Sequence, residues 1–429
     1  MKKLSFYTIF LLISLTSFSQ ETVYPAPAQK EAIIITNATV HIGNGQVLEN
    51  ASVAFSNGKI TQVGTNITAA PGNKVINAAG KHIYPGLILS SSNLGLVEMP
   101  SVRATNDATE IGELNASIRS IVAYNTDSKV INTLRSNGIL LANIVPQGGS
   151  VSGSSSTVQL DAWNWEDAAV KMDNGIHLFM PSLLPRPPQL IQPAQPQPDP
   201  VKQGLEGIDR VKSFLKEAKA YAATTPVTAN LKFSAVQGLF AKKQKLFVHA
   251  NTVKQMLIAL DFVQELGLDV VIVGGSDSWQ IADLLKQNNV AVILNHPHTL
   301  PILEDDDIDQ PYKTPALLQK AGVLFSINDN DEQTRGRNLP FNAGTAVTYG
   351  LTKEQALQAI TLSAAKILGI EDIAGSIEVG KDANLVISEG DILDMRTSII
   401  TDAFIQGRQI NLTDKHKQLY ERYKYKYGL

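Results

Sequence analysis

Four side chains that could bind a metal ion or move a proton follow short apolar runs of the chain. His249 and Asp329 each stand near the end of one such run, and His296 and His298 follow a third. Residues i and i+2 of an extended chain point to the same side, so these two histidines could chelate one ion. The chain has no cysteine. Only imidazole and carboxylate ligands therefore remain, and these suit Zn, Fe or Mn.

A metal ion held in this way could support hydrolysis. Such a site needs about three protein ligands and an open position for water. The metal lowers the pKa of the bound water to about 7, and a carboxylate can carry the proton to the leaving nitrogen. Structural roles remain as alternatives, since His249 could bond a neighbouring carbonyl oxygen and Asp329 could belong to a polar turn. His296 and His298 could lie in a proline-stiffened loop that binds nothing.

Length and charge limit the classes of protein to consider. The 429 residues suffice for one large domain with a satellite, or for two domains. The net charge is −3, and this lack of basic excess argues against a nucleic-acid partner. The local basic tail at residues 413–429 is interpreted as a solvated helix face.

Residues 1–19 have the pattern of an export signal. Two lysines are followed by a mostly apolar stretch and then by small residues near Gln20. The apolar stretch is too short to span a membrane comfortably, and no later segment is long and apolar enough. We expect the mature protein to be soluble and exported to the periplasm or the extracellular space, with no membrane span. Without cysteine it can form no disulfide bond.

The elements that must position these side chains fall into two patterns. Residues 32–75 show short β-rich runs, and Asn57-Gly58 favours a tight hairpin because both residues tolerate positive φ. Beyond Gly86, apolar strands alternate with helices, which predicts a parallel sheet, closed or open. Predicted strands cover 139–145, 246–250, 269–273, 290–295 and 323–327. Predicted helices cover 128–137, 201–222, 253–266, 278–287 and 314–321.

Two segments interrupt this alternation. The glycine-rich residues 148–153 lack the Gly-Lys-Ser/Thr ending of a phosphate loop, so they are interpreted as a barrel loop. Residues 181–200 are crowded with proline and cannot form a regular helix or a central strand. They are predicted to be an extended insertion.

The segment 84–93, Tyr-Pro-Gly-Leu-Ile-Leu-Ser-Ser-Ser-Asn, resembles the first barrel strand of the amidohydrolase superfamily. The usual form there is Pro-Gly-Leu-Ile-Asp-x-His-x-His. Leu89 stands at the position of the Asp, and Ser91 and Asn93 stand at those of the two His. The sixth strand, which should also supply a His, ends in Gly274. The segment 375–386 resembles the family's return into its sandwich domain, with Asn384 in place of the usual Asp.

This resemblance runs from about residue 32 to residue 410 and looks nearest to the imidazolonepropionase-like branch. It implies a (β/α)₈ TIM-like barrel with a small β-sandwich built from N- and C-terminal segments. The expected divisions are a signal peptide at 1–19, sandwich segments at 20–84 and 376–412, a barrel at 85–375 with its insertion at 181–200, and a tail at 413–429.

The resemblance also implies roles for the four side chains. His249 matches the fifth-strand His, which binds metal or contacts substrate, and Asp329 matches the eighth-strand Asp, which binds metal and handles the proton. Both are therefore predicted to be catalytic residues and metal ligands. The family does not usually place ligands on the seventh strand, so His296 and His298 are predicted to complete a shifted metal site with one of them.

Three functions remain open at this point. The first is an exported hydrolase that cleaves a non-peptide C–N bond in a cyclic amide or peptide-like substrate. The second is an inactive relative that binds a small molecule or pairs with an active relative, and the third is a metal-independent acid–base enzyme using His249 and Asp329. The cofactor would be one divalent metal, Zn, Fe or Mn, or none. A small-molecule ligand is expected, and a homo-oligomer is a further option.

Overall fold

The structure, a computed structural model, describes residues 23–184, 199–223, 228–301, 305–329 and 335–429. The predicted signal peptide and residues 185–198 of the proline-rich insertion lie outside the described residues. Within the described ranges, no helix is long and apolar enough to cross a bilayer.

The described strands form two sheets. In chain order they are β1 (Ile33–His41), β2 (Val47–Ser56), β3 (Lys59–Gly64), β4 (Lys74–Asn77), β5 (His82–Pro85), β6 (Leu87–Ser92), β7 (Ile139–Ile144), β8 (Val151–Gln159), β9 (Ala169–Phe179), β10 (Lys245–Ala250), β11 (Val270–Gly274), β12 (Ala291–Leu294), β13 (Phe325–Ile327), β14 (Leu385–Ser388), β15 (Ile400–Ile405) and β16 (Arg408–Gln409).

Helices cover much of the remaining described chain. The α-helices are Lys129–Arg135, Trp165–Ala168, Pro200–Tyr221, Leu231–Ala235, Gln237–Phe240, Val253–Leu266, Ala282–Gln287, Gln310–Ala321, Leu339–Thr348, Lys353–Ala359, Leu362–Leu368 and Lys415–Tyr427. Short 3₁₀ turns lie at Arg103–Thr105, Ser120–Ala123, Ser278–Ile281 and Arg335–Asn338.

The smaller sheet is built from both ends of the chain. Its order is β16-β15-β14-β5-β1-β2-β3, with β4 paired to β1. The rings of Phe55 on β2 and Phe404 on β15 lie 5.1 Å apart, although three strands separate β2 from β15 in the sheet. The sheet therefore curls until its two ends face each other across a shared apolar core, as the layers of a sandwich do. The predicted Asn57-Gly58 hairpin is confirmed, with both residues at positive φ.

The second sheet is the barrel. Its eight strands run in the order β13-β12-β11-β10-β9-β8-β7-β6. Side-chain hydrogen bonds bring its end strands together, including one of 3.0 Å between the hydroxyls of Ser90 and Ser326. The predicted fold class, a TIM-like barrel with a second β domain from both termini, is confirmed.

The predicted strict alternation of strands and helices was wrong at β8. The glycine-rich segment 148–153 does not remain a loop, because Val151 begins β8, which pairs antiparallel with both β7 and β9. A Cβ at Gly153 would lie 2.4 Å from the carbonyl oxygen of Ile118. The chain around Ile118 therefore approaches the β8 backbone closely at this position. Small residues are suited to such an approach, and they give the strand no apolar pattern in the sequence.

The helix after β10 shows how local sequence shapes the carboxyl end of the barrel. Thr252 and Gln255 form a reciprocal capping box at the start of Val253–Leu266. Gly267 ends this helix at φ 69°, as the sequence predicted. The predicted helix at 278–287 divides instead into a 3₁₀ turn and the short helix Ala282–Gln287.

Candidate functional site

A cavity of about 370 Å³ lies where the barrel strands end. The site of a barrel of this kind is expected at this face, which the strand-to-helix loops build. The cavity is lined by Ser91, Ser92, Asn93, Val145, Gln147, Phe179, Met180, His249, Asn251, Gln255, Val273 and Asn295. Within the described part of the chain, this lining contains no Asp, Glu, Lys or Arg side chain. The cavity wall that the described residues form is therefore polar but uncharged.

His249 lies at the end of β10 and pairs with a second histidine. Its Nε2 is 2.9 Å from Nδ1 of His177, which β9 supplies. These strands are parallel neighbours, with His249 opposite Phe179 and His177 opposite Phe247 in the register. His177 is fully buried, whereas His249 is partly exposed where it lines the cavity.

Aromatic rings hold this pair from both sides. Phe179 stacks on His249 with ring centroids 3.8 Å apart, and Phe247 stacks on His177 at 4.9 Å. A Cβ at position 175 would lie 2.2 Å from the Phe247 ring, so Gly175 leaves the space in which that ring lies flat. Rings packed in this way restrict the rotation of both imidazoles.

The pair is electrically neutral near pH 7. Burial lowers the pKa of His249 from its ordinary value of 6.5 to about 3. Burial, followed by the proximity of His249, lowers the pKa of His177 well below its ordinary value. His249 is consequently a weak base that can still form hydrogen bonds as a neutral ring.

A rigid polar segment forms another part of the wall. The Oε1 of Gln255 accepts hydrogen bonds from the backbone N–H groups of Asn251 and Thr252, at 3.0 and 3.1 Å. Its Nε2 donates to the carbonyl oxygen of Pro181 at 2.9 Å. Gln255 thus ties the loop after β10 to the chain that follows β9.

The first barrel strand contributes neutral groups where the superfamily pattern has ligands. Ser91 and Asn93 both line the cavity, and both are buried. The backbone of Ser91 is bound by the amide side chain of Asn328, through bonds of 3.1 and 2.8 Å. The Nδ2 of Asn93 is buried without a hydrogen-bond partner among the described residues.

Asp329 follows β13 but does not line this cavity. It is 3% exposed, and its Oδ2 accepts a hydrogen bond of 3.0 Å from Nδ2 of Asn342. The predicted pairing of His249 with Asp329 as acid and base therefore has no shared cavity wall in the described structure.

His296 and His298 lie apart from His249. His296 lines a separate cavity of about 40 Å³ together with Asp277 and Asp306. His298 is exposed, and its Nε2 is 3.3 Å from the hydroxyl of Thr345. Pro297 between them is buried.

The side chains at the barrel mouth, the cavity where the barrel strands end, do not fit a hydrolytic metal ion. Among the residues that the structure describes, no three His, Asp or Glu side chains group closely enough to hold an ion. The structure thus does not bring His249, Asp329, His296 and His298 together. Serine and asparagine at positions 91 and 93 offer neutral oxygen and nitrogen atoms, which are poor ligands for Zn²⁺. The metal site remains a prediction without geometric support.

Sequence reasoning missed two members of the site, His177 and Asn328. His177 lies in β9, the strand that no apolar run announced, so nothing marked it as a neighbour of His249. Asn328 directly precedes Asp329, and nothing in the local sequence marks its side chain as a partner of Ser91. The alternation Ile176-His177-Leu178 is a signal that could have placed His177 on the opposite face from its apolar neighbours.

Comparison with known proteins identifies a matching family and several similar proteins. Residues 314–411 match the amidohydrolase family. An imidazolonepropionase of Staphylococcus aureus is 23% identical over 355 residues, covering 80% of this chain and 84% of that protein. An imidazolonepropionase of Shewanella frigidimarina is 30% identical over 128 residues, covering 30% of this chain and 27% of that protein.

Solved structures show the same fold. The crystal structure of an amidohydrolase from Thermotoga maritima covers 88% of this chain and 99% of its own, with a TM-score of 0.76 and 24% identity. An adenosine deaminase from Xanthomonas campestris, solved with bound zinc, covers 93% of this chain and 99% of its own, with a TM-score of 0.54 and 16% identity.

The family match, the relatives and the fold together support the amidohydrolase superfamily, a family of hydrolases. Within that superfamily it is similar to the imidazolonepropionase-like branch.

Proposed function

We propose that this chain uses the amidohydrolase barrel to bind a small neutral molecule at the mouth, without metal-assisted hydrolysis. The ligand class is a cyclic amide or a neutral peptide-like compound. One observation carries the proposal: the cavity wall at the strand ends is polar and uncharged, and no group of metal ligands faces it among the described residues.

The uncharged wall selects for an uncharged ligand. Moving an ion from water into a cavity without a counter-charge costs several kcal/mol or more. Transfer of neutral amides and carbonyls costs far less. The side chains of Asn93, Gln147 and Asn295 can replace the hydrogen bonds that such a ligand loses with water. A concave pocket with convergent polar groups is typical of small-molecule sites.

The same geometry argues against acid–base catalysis by His249 and Asp329. An efficient general base has a pKa near the working pH. The lowered pKa of His249 makes it a poor proton acceptor near pH 7. Asp329 is not among the described residues that line the cavity.

Calorimetry with the mature, tag-free chain tests the proposal. We expect 2-pyrrolidinone to bind at least about tenfold more tightly than its 5-carboxylate, because the anion loses hydration without gaining a partner. His249→Ala should weaken 2-pyrrolidinone binding, whereas His298→Ala, an exposed histidine outside the cavity, should not. Tighter binding of the carboxylate would overturn the proposal, as would the absence of binding across a panel of cyclic amides and capped dipeptides.

Hydrolysis of a non-peptide C–N bond is the second candidate, and one observation favours it. His249 and Asp329 still occupy the ends of the fifth and eighth barrel strands. Ring opening of a cyclic amide in the presence of Zn²⁺, Mn²⁺ or Fe²⁺, abolished in Asp329→Asn, would establish this candidate. It would also remove the metal-free interpretation.

Export is a further proposal, and it rests on the pattern of residues 1–19. Cell fractionation and the N-terminal mass of the mature protein test it. An uncleaved chain in the cytosol would contradict export. Pairing with an active relative, or with a second copy, is likewise a proposal that co-purification and mass measurement can test.

A further inference from the structure

His177 is a fully buried polar group of the site. Its side chain is 0% exposed, and its Nε2 has no hydrogen-bond partner among the described residues. Its Nδ1 lies 2.9 Å from Nε2 of His249. In the described structure no carboxylate forms a hydrogen bond or an ion pair with either ring, so nothing stabilises a charge on this pair.

Two neutral rings at this distance share one proton between the facing nitrogens, and two arrangements are available. If His249 donates, Nε2 of His177 must carry a second proton, which leaves a buried N–H without an acceptor. If His177 donates, its Nε2 is only an unpaired acceptor. Orphaned buried N–H groups are rarer than under-satisfied acceptors. The second arrangement therefore costs less.

That choice decides the state of His249. Its Nε2 accepts a hydrogen bond from the Nδ1–H of His177, so a neutral His249 must carry its own proton on Nδ1. No described residue forms a hydrogen bond with this Nδ1. It is the polar atom that His249 retains for a ligand in the cavity it lines.

We propose that His177 is a positioning residue that fixes His249 as the Nδ1–H tautomer, so the barrel mouth presents a hydrogen-bond donor to its ligand. The inference rests on the proposed binding function and names the recognised group as an acceptor, such as a carbonyl oxygen. Asn93 lines the same cavity, and its Nδ2 is buried without a hydrogen-bond partner among the described residues. In this tautomer both ring nitrogens of His249 are occupied, so neither offers a lone pair to a metal ion.

Nitrogen NMR of the intact mature chain, labelled with ¹⁵N-histidine, tests the tautomer without any ligand. We expect His249 to show a protonated Nδ1 and an unprotonated Nε2, assigned by loss of its signals in His249→Gln. The reverse pattern, or averaging between both tautomers, would overturn the proposal. His177→Phe should release His249 into a mixture of tautomers, and His298→Gln should leave its signals unchanged. If His177→Phe does not fold, the wild-type spectrum alone still decides.

Titration with 2-pyrrolidinone then separates this inference from the binding function. We expect the Nδ1 signal of His249 to shift at saturation, while the signals of His298 stay in place. Binding without any change at His249 would overturn its role as the donor. Absence of binding would count against the proposed function, and the ligand-free spectrum would still decide the tautomer.

Discussion

The side-chain amide of Asn328 pairs with the backbone of Ser91 as a neighbouring strand would. Its Oδ1 accepts the Ser91 N–H at 3.1 Å, and its Nδ2 donates to the Ser91 carbonyl oxygen at 2.8 Å. Both residues are buried, and they lie at the two end strands of the barrel sheet. One side chain thus helps close the barrel at the position where the family pattern has its first metal-binding histidine.

Removing this amide should weaken the seam, the junction between the two end strands β6 and β13 of the barrel sheet. Asn328→Leu leaves two buried backbone groups unpaired, and each costs about 1–3 kcal/mol. We expect the free energy of unfolding in urea to fall by about 2–4 kcal/mol. Asn66→Leu, at an exposed asparagine, is the matched control and should change stability by less than about 0.5 kcal/mol. Equal effects of the two substitutions would show that Asn328 does not close the seam.

A buried charge cluster fastens the C-terminal hairpin to the barrel. Asp161 follows β8 and is fully buried, and it accepts hydrogen bonds from Arg135 and, at 2.9 Å, from Arg408. Asp161→Leu would leave both guanidinium groups without their carboxylate, which should lower stability by about 3–5 kcal/mol. The exposed pair of Arg396 and Asp394 provides the control, since Arg396→Ala should cost no more than about 1 kcal/mol. A small effect of Asp161→Leu in urea unfolding would contradict this role.

Gly175 should tolerate no larger side chain. Its added Cβ would push the Phe247 ring off His177, so Gly175→Ala should destabilise the fold by about 1–3 kcal/mol. Gly207 lies inside the helix Pro200–Tyr221, where an added Cβ would meet only the Arg210 side chain at an ordinary contact distance of 3.7 Å, so Gly207→Ala should instead stabilise by up to about 1 kcal/mol. Thermal unfolding of both variants measures this contrast in sign. A neutral or stabilising Gly175→Ala would show that the stack on His177 is not tightly packed.

The histidine pair should make the protein sensitive to acid. The folded-state pKa of His249 is lowered to about 3 from 6.5, so the unfolded chain binds a proton first as the pH falls. Its contribution to stability is therefore present above pH 6.5 and is lost progressively toward pH 3. Between about pH 7.5 and pH 5 the loss from His249 alone should be about 1–2 kcal/mol, at about 1.4 kcal/mol per pKa unit.

Urea unfolding at the two pH values checks this expectation. His249→Gln removes the titrating group, so its stability should fall less between them than that of the wild type. His416→Gln, on the exposed C-terminal helix, should follow the wild type. Parallel losses in all three proteins would contradict the low pKa of His249.

Apolar runs and helix caps made most of the barrel predictable. β10, β11, β12 and β13 lie within a residue or two of their predicted positions, because each is a short apolar run between clear stop signals. β8 escaped prediction because its buried side chains are mostly serine, glycine and threonine, which give no apolar period. Its burial comes from tertiary packing against distant segments, which a local pattern does not encode.

The candidate site was likewise predictable only in part. The position of His249 at a strand end follows from the sequence, and so do the neutral residues at positions 91 and 93. The pairing of His249 with His177 joins residues 72 positions apart, and the bond from Asn328 to Ser91 joins residues 237 positions apart. Such partners depend on strand order and register, which the sequence of either strand alone does not contain.

The central claim is that the barrel mouth works without a catalytic metal, and metal content tests it most directly. The mature, tag-free chain should be incubated with Zn²⁺, Mn²⁺ and Fe²⁺ in turn, dialysed, and measured by elemental analysis beside a His249→Ala/Asp329→Ala double variant. We predict far less than one ion per chain, with no difference between the two proteins. About one ion per wild-type chain, lost in the double variant, would contradict the claim and restore metal-assisted hydrolysis.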